Sequence, residues 1–154
     1  MDNEGLANQL AGLAADYPFI LNTGSRLPMF VHSRTYRLAW TRSLRPRPAA
    51  DLNPADAARL GIRHGDEIEL ATPSGAIRVL ANLTELGQPG VVHMYHGHAE
   101  ADVNLLFDPD YLDPISGFPG FKALLCSVRR VERPPLEEGP RDADLARASG
   151  EADR

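Results

Sequence analysis

The chain has 154 residues, 43% apolar and only 6% aromatic, with a formal net charge of −5. That length implies one domain with a modest core, and so few aromatic rings argue against a surface that stacks nucleic-acid bases. No run approaches the roughly 20 apolar residues of a membrane helix, and Asp2 and Glu4 stand where a secretory leader would be positive. The expectation is a cytoplasmic protein that neither enters a membrane nor binds nucleic acid, exported only if a partner chain carries it.

In chain order, residues 5–15 predict a short helix with Leu6, Leu10 and Leu13 on one face, stopped by Pro18. Phe19-Ile20-Leu21 reads as a first strand, and Thr23-Gly24-Ser25 as a sharp turn. An arginine-rich segment of mixed periodicity follows, closed by Pro46 and Pro48. Residues 54–60 predict a helix of two turns, with Asn53 as its cap, Pro54 in the first position and Gly61 ending it. His64-Gly65-Asp66 is a turn, and Glu67-Ile68-Glu69-Leu70 alternates as a half-buried strand does. Thr72-Pro73-Ser74-Gly75 makes a hairpin, and Ile77, Val79 and Ala81 carry the inward row back. Gln88-Pro89-Gly90 turns into a strand from Val91 to Tyr95. From His96 to Pro119 the chain is irregular, a pattern typical of a functional loop. Lys122 to Val131 is the last strand, and the polar tail from Glu132 is expected to be disordered. Several short strands, short helices and long loops indicate a small, mainly β barrel. No internal repeat is visible.

Charge and chemistry are unevenly placed. Six arginines and no acid lie between Arg26 and Arg47, while the tail holds seven acids against four arginines. An acidic chain with one basic segment suggests a localised anion site, or else a solvated loop. The single cysteine, Cys126, excludes an internal disulfide and any thiolate-only metal site, and its apolar surroundings suggest a buried core thiol. His93, His96 and His98 do not have a zinc spacing. They read either as lining a ligand funnel or as structural. Asn104, in the apolar run Val103-Asn104-Leu105-Leu106, requires hydrogen-bond partners.

The order and spacing of several segments are similar to one family. They are Leu21-Asn22-Thr23-Gly24-Ser25-Arg26, Phe30-Val31-His32-Ser33-Arg34, the stretch from Asn53 to Ile62, and Gly65-Asp66-Glu67-Ile68. Further on come Thr72 to Ile77, Pro89-Gly90-Val91-Val92, His96-Gly97, Val103 to Leu106, and Pro114 through Lys122 to Cys126. Together they resemble the C-terminal molybdopterin-dinucleotide-binding domain of the DMSO reductase family. The branch is that of thiosulfate and polysulfide reductases and acetylene hydratase, and the resemblance covers roughly residues 17–131.

The resemblance implies a double-psi β-barrel, as in aspartate decarboxylase, holding bis(molybdopterin guanine dinucleotide) whose molybdenum or tungsten is bound by the cofactor itself. It places cofactor contacts at Thr23, Gly24, Ser25, Arg26, His32, Ser33, Arg34, His96, Asn104 and Lys122, with no catalytic residue and no metal ligand from this chain. The chemistry agrees, since a glycine turn admits backbone N–H groups to phosphate and Arg26 offers a planar fork. Asp102 and His98 depart from the family pattern, which more often has an amide and an aromatic there.

The implied organisation is an extension over 1–16, the binding domain over 17–131 and a charged tail over 132–154. The iron–sulfur and metal-ligating parts of such enzymes are absent, so a larger catalytic chain with an iron–sulfur domain is the expected partner, of which this chain is a subunit or a domain, and Met1 favours separate encoding. One alternative is a pyruvoyl-type decarboxylase-like barrel cleaved at Gly24-Ser25. Another is a non-enzymatic binding barrel using the arginine segment.

Overall fold

The computed structural model describes residues 11–23, 38–44, 46–110, 112–118 and 124–132. Six strands form the barrel: β1 (Phe19–Asn22), β2 (Ala49–Leu52), β3 (Glu67–Thr72), β4 (Gly75–Leu83), β5 (Val91–Met94) and β6 (Leu124–Arg130). Helical pieces are short, comprising residues 11–16 (α1), α2 (Ala39–Leu44), α3 (Pro54–Arg59) and the 3-10 turns Ala99–Ala101 and Val103–Leu106.

The barrel closes in the order β1-β5-β2-β4-β3-β6. β1 runs parallel to β5 and β2 parallel to β4, whereas the other four pairings are antiparallel. If β1, β2 and β3 are exchanged for β4, β5 and β6, this set of pairings maps onto itself. Local contacts repeat as well. Ile20 N–H donates to the Gly90 carbonyl at 2.9 Å, and its counterpart Leu80 N–H donates to the Pro48 carbonyl at 3.0 Å. Two interlocked halves, each contributing a strand to two parallel pairs, constitute the expected double-psi barrel. The repeat lies in the connectivity and not in the residues, which is why no sequence repeat accompanies it.

Alternation explains the core. Ile68 and Leu70 on β3 and Ile77, Val79 and Ala81 on β4 point inward, where they meet Leu21, Leu52, Val92, Met94 and Cys126. Each fully buried large aliphatic side chain contributes about 2 kcal/mol from removal of apolar surface from water. Closure gives each of the six described strands a neighbour on both sides, with β2 covering Leu80–Leu83 of the longer β4.

Most of the predicted elements are present. The Asn53 side chain accepts the Ala55 N–H at 2.9 Å, Pro54 opens α3, and Gly61 follows it with φ 65°. Thr72 pairs with Gly75 around a two-residue loop, and the Pro89-Gly90 turn has Gly90 at φ 81°. Tyr17 N–H bonds to the Leu13 carbonyl at 2.9 Å where α1 ends, before Pro18. The 5–10 part of that helix and the tail beyond Glu132 lie outside the described residues.

Two elements differ from expectation. β2 was not predicted, because Ala49, Ala50 and Asp51 are poor strand formers; β4 and β5 on either side hold it extended. α2 was also missed. Its buried residue is Thr41, while Trp40 and Leu44 are exposed, so its amphipathic pattern is inverted. The 96–119 loop holds two ordered 3-10 turns, and β5 ends at Met94, one residue early.

Candidate functional site

Strand directions sort the connections onto two ends of the barrel. One end, the hairpin end, collects the exits of β1, β3 and β5 and the entrances of β2, β4 and β6. Thr23 leaves β1 there, the Pro73-Ser74 loop joins β3 to β4 there, and the long connection from Tyr95 to β6 begins and ends there. The other end carries α3 and the turns His64–Asp66 and Gln88–Gly90.

The predicted site residues that are described all belong to the hairpin end. Thr23 follows β1 directly and is fully buried, so its side chain is not at the surface. His96 is half-buried just beyond β5. Asn104 is exposed on the 3-10 turn Val103–Leu106. Its apolar sequence neighbours do not bury it, and its amide has the hydrogen-bond partner that the sequence requires. Val103 and Leu106 point into the core while Asn104 and Leu105 face out. Gly24, Ser25, Arg26, His32, Ser33, Arg34 and Lys122 lie outside the described residues. β6, which Lys122 precedes in sequence, begins at Leu124 opposite Leu21 of β1, at this same end.

Asn104 is held by a neighbour that the sequence reading did not assign to the site. Asp102 Oδ1 accepts its backbone N–H at 3.0 Å and its side-chain Nδ2 at 2.8 Å. The Asp-x-Asn spacing is an Asx-turn signal that could have revealed this. From the barrel side, buried Thr72 donates its hydroxyl to the Leu106 carbonyl at 2.8 Å. That contact joins residues 34 apart in sequence, so no local pattern announces it.

The other histidines take different positions. His93 lies on β5 in register with Asn22 and Asp51, on the half-buried outer row. His98 is buried, with its Nδ1 3.7 Å from Glu100 Oε1. Among the described residues, no group of three or more His, Cys, Asp or Glu side chains is placed to hold a metal ion. Cys126 is fully buried, as expected, and burial pushes its thiol up to about 12.

Further along the loop, Asp113 accepts Ser116 N–H at 2.7 Å, the Ser116 hydroxyl at 2.8 Å and Ile115 N–H at 3.1 Å. These donors, those of Ser116 first, hold its carboxyl below the usual carboxylate range. A cleft of about 480 Å³ lined by His64, Asp66, Glu67, Arg130 and Glu132 lies at the α3 end, away from all these residues.

The family model described as "Molydopterin dinucleotide binding domain" matches residues 19–125. The chain is 34% identical over 128 residues to dopamine dehydroxylase of Eggerthella lenta, covering 75% of this chain and 13% of that one. To the periplasmic nitrate reductase of Desulfovibrio desulfuricans it is 30% identical over 119 residues, 76% of this chain and 16% of that one. Acetylene hydratase from Pelobacter acetylenicus shares the fold, with a TM-score of 0.71 at 24% identity over 79% of this chain and 19% of that one. The chain thus spans less than a fifth of the length of each. No helix among the described residues is long and apolar enough to cross a membrane.

Proposed function

Because the chain belongs to the molydopterin dinucleotide binding domain family, we propose that it grips bis(molybdopterin guanine dinucleotide) at its hairpin end within a larger molybdenum or tungsten oxidoreductase. The observation that carries this reading is the family match, which runs from the first residue of β1 to the second residue of β6 and so takes in the first five strands whole.

The described residues fit such a group. Asn104 stands exposed, with its NH2 turned to Asp102, so its carbonyl oxygen is the outward acceptor. An acceptor suits the N–H edge of an amino-oxo ring, which both the pterin and the guanine carry. Gly24, Ser25, Arg26, His32, Ser33 and Arg34 would follow the pyrophosphate through backbone and guanidinium donors, with buried Thr23 leading into that strip and His96 and Lys122 completing the contacts. The bound group supplies redox chemistry at its metal. This chain's residues anchor and orient it, and no catalytic residue is assigned here.

The binding unit is residues 17–131, flanked by an extension over 1–16 and a charged tail. The rest of the enzyme, including an iron–sulfur domain, comes from a larger catalytic chain, to which this barrel belongs as a subunit or as a domain, and the assembly is cytoplasmic. Co-expression with that chain is expected to give a complex that contains molybdenum or tungsten and releases GMP on acid hydrolysis. A complex lacking both metal and guanine would refute the reading, and fractionation of cells tests the compartment. Two fragments split at Ser25 on a denaturing gel would favour the decarboxylase-like alternative instead.

A further inference from the structure

An asparagine on an exposed turn ordinarily samples several rotamers and both amide orientations. Asn104 is restricted from two sides. Asp102 Oδ1 accepts both its backbone N–H and its Nδ2. A carboxylate only accepts, so the amide must turn its NH2 toward Asp102 and its oxygen away.

From beneath, the tip of the β3–β4 hairpin grips the same turn. Thr72 Oγ1 donates to the Leu106 carbonyl and accepts the Ser74 N–H at 3.2 Å, tying hairpin and turn through one buried hydroxyl. Gly75 approaches so closely that a Cβ there would stand 2.4 Å from the Leu105 carbonyl oxygen. Val103 and Leu106, buried on either side of Asn104, complete the mount.

We propose that Thr72, Gly75 and Asp102 are positioning residues that present the Asn104 carbonyl oxygen to the N–H edge of the bound cofactor's pterin or guanine ring. The inference rests on Asn104 being a cofactor contact. The ring edge, not the pyrophosphate, is the matching part, because the outward atom is an acceptor and the neighbouring Asp102 carboxylate repels phosphate. Locking the turn on folding removes an ordering cost from binding, which is how preorganisation raises affinity.

The test is the half-time with which the GMP-yielding cofactor leaves the complete oxidoreductase, with urea unfolding of each variant as the control. Asn104→Ala is expected to shorten it about tenfold, the upper range for one lost hydrogen bond. Asp102→Ala, Thr72→Val and Gly75→Ala are expected to shorten it about threefold when Asn104 is intact, and to add nothing in the Asn104→Ala background. Thr72→Ser, which keeps the hydroxyl, is expected to retain the parent half-time.

Equal losses with and without Asn104 would overturn the inference, since the three residues would then act as general supports. No effect of Asn104→Ala would sink the contact reading itself, a failure visible before the other variants are compared. Should the Thr72 or Gly75 variants not fold, Asp102→Ala, which alters only an exposed pair, decides the matter. GMP binding to the apo-complex separates the sources. An affinity that Asn104→Ala lowers identifies the guanine, and an unchanged affinity alongside faster cofactor loss identifies the pterin.

Discussion

The two ends of the barrel are closed by opposite means. At the α3 end, side chains tie backbone to backbone at short range in space. Asp56, buried, accepts the Gly90 N–H at 2.6 Å and pairs with Arg59, and Asn53 donates to the Gly87 carbonyl at 2.8 Å. His64 Nδ1 accepts the Leu83 N–H at 3.2 Å, and Arg130 Nε lies 3.0 Å from Asp66. At the hairpin end two of the three connections are long, and Asn104 faces outward from a turn that is itself braced by the short third, the hairpin. One end holds the barrel together, and the other carries the residues proposed to contact the cofactor. The strands need both, because a loop can carry binding groups only where a rigid frame fixes its ends.

This division can be broken deliberately. Asp56→Ala should have the largest effect, costing about 2 kcal/mol of unfolding free energy because the Gly90 N–H loses its acceptor in a closed setting. Urea unfolding measures it, and cofactor retention by the folded fraction should not change. Asn104→Asp, at the other end, is expected to do the reverse. It would weaken retention about tenfold by placing a second carboxylate beside Asp102, while shifting unfolding by less than about 0.5 kcal/mol, as is usual for an exposed position. A large stability loss from Asn104→Asp would contradict the proposed separation.

A third experiment probes the wall between the ends. The Cys126 thiol is raised to about 12 in the fold from an ordinary value of 9.0, so burial favours its protonated form. The stability it contributes is therefore complete below pH 9 and is lost as the pH rises toward 12. Denaturation midpoints between pH 8 and pH 11 should fall more steeply for the parent than for Cys126→Ala. The smallest effect is expected at Asp113, whose carboxyl is lowered. The order it gives residues 113–117 is present above the usual carboxylate range and fades as the pH drops through it. Amide exchange at Ile115, Ser116 and Gly117 reads this, and Asp113→Asn should remove most of the pH dependence.

Legibility in the sequence followed the range of the forces involved. α3 could be read because Asn53, Pro54 and Gly61 act within one or two turns, and the hairpin because Thr72 to Gly75 contains its own turn chemistry. β2 could not, since Ala49 and Ala50 become strand only through neighbours brought from far along the chain. Asn104 is proposed as a contact on a family pattern, whereas its mounting by Thr72 and Gly75 had no signal in the sequence. Asp56 likewise read as an ordinary helix residue, although its buried carboxylate holds a turn 34 positions away. The twofold of the connectivity left no trace in the residues, because pairing uses backbone groups that every residue supplies.

The closing of β1 also governs how the chain must fold. Its four residues pair with β5 on one side and with β6 on the other, Phe19 opposite Cys126. The first strand therefore emerges during synthesis long before either partner exists, and pairings of such wide sequence separation form slowly. Until Leu124–Arg130 arrives, β1 and β3 border a gap as open edges, the arrangement most exposed to misassociation. Since Cys126 lies in that last strand, the moment its thiol stops reacting with an alkylating reagent marks the sealing of the barrel.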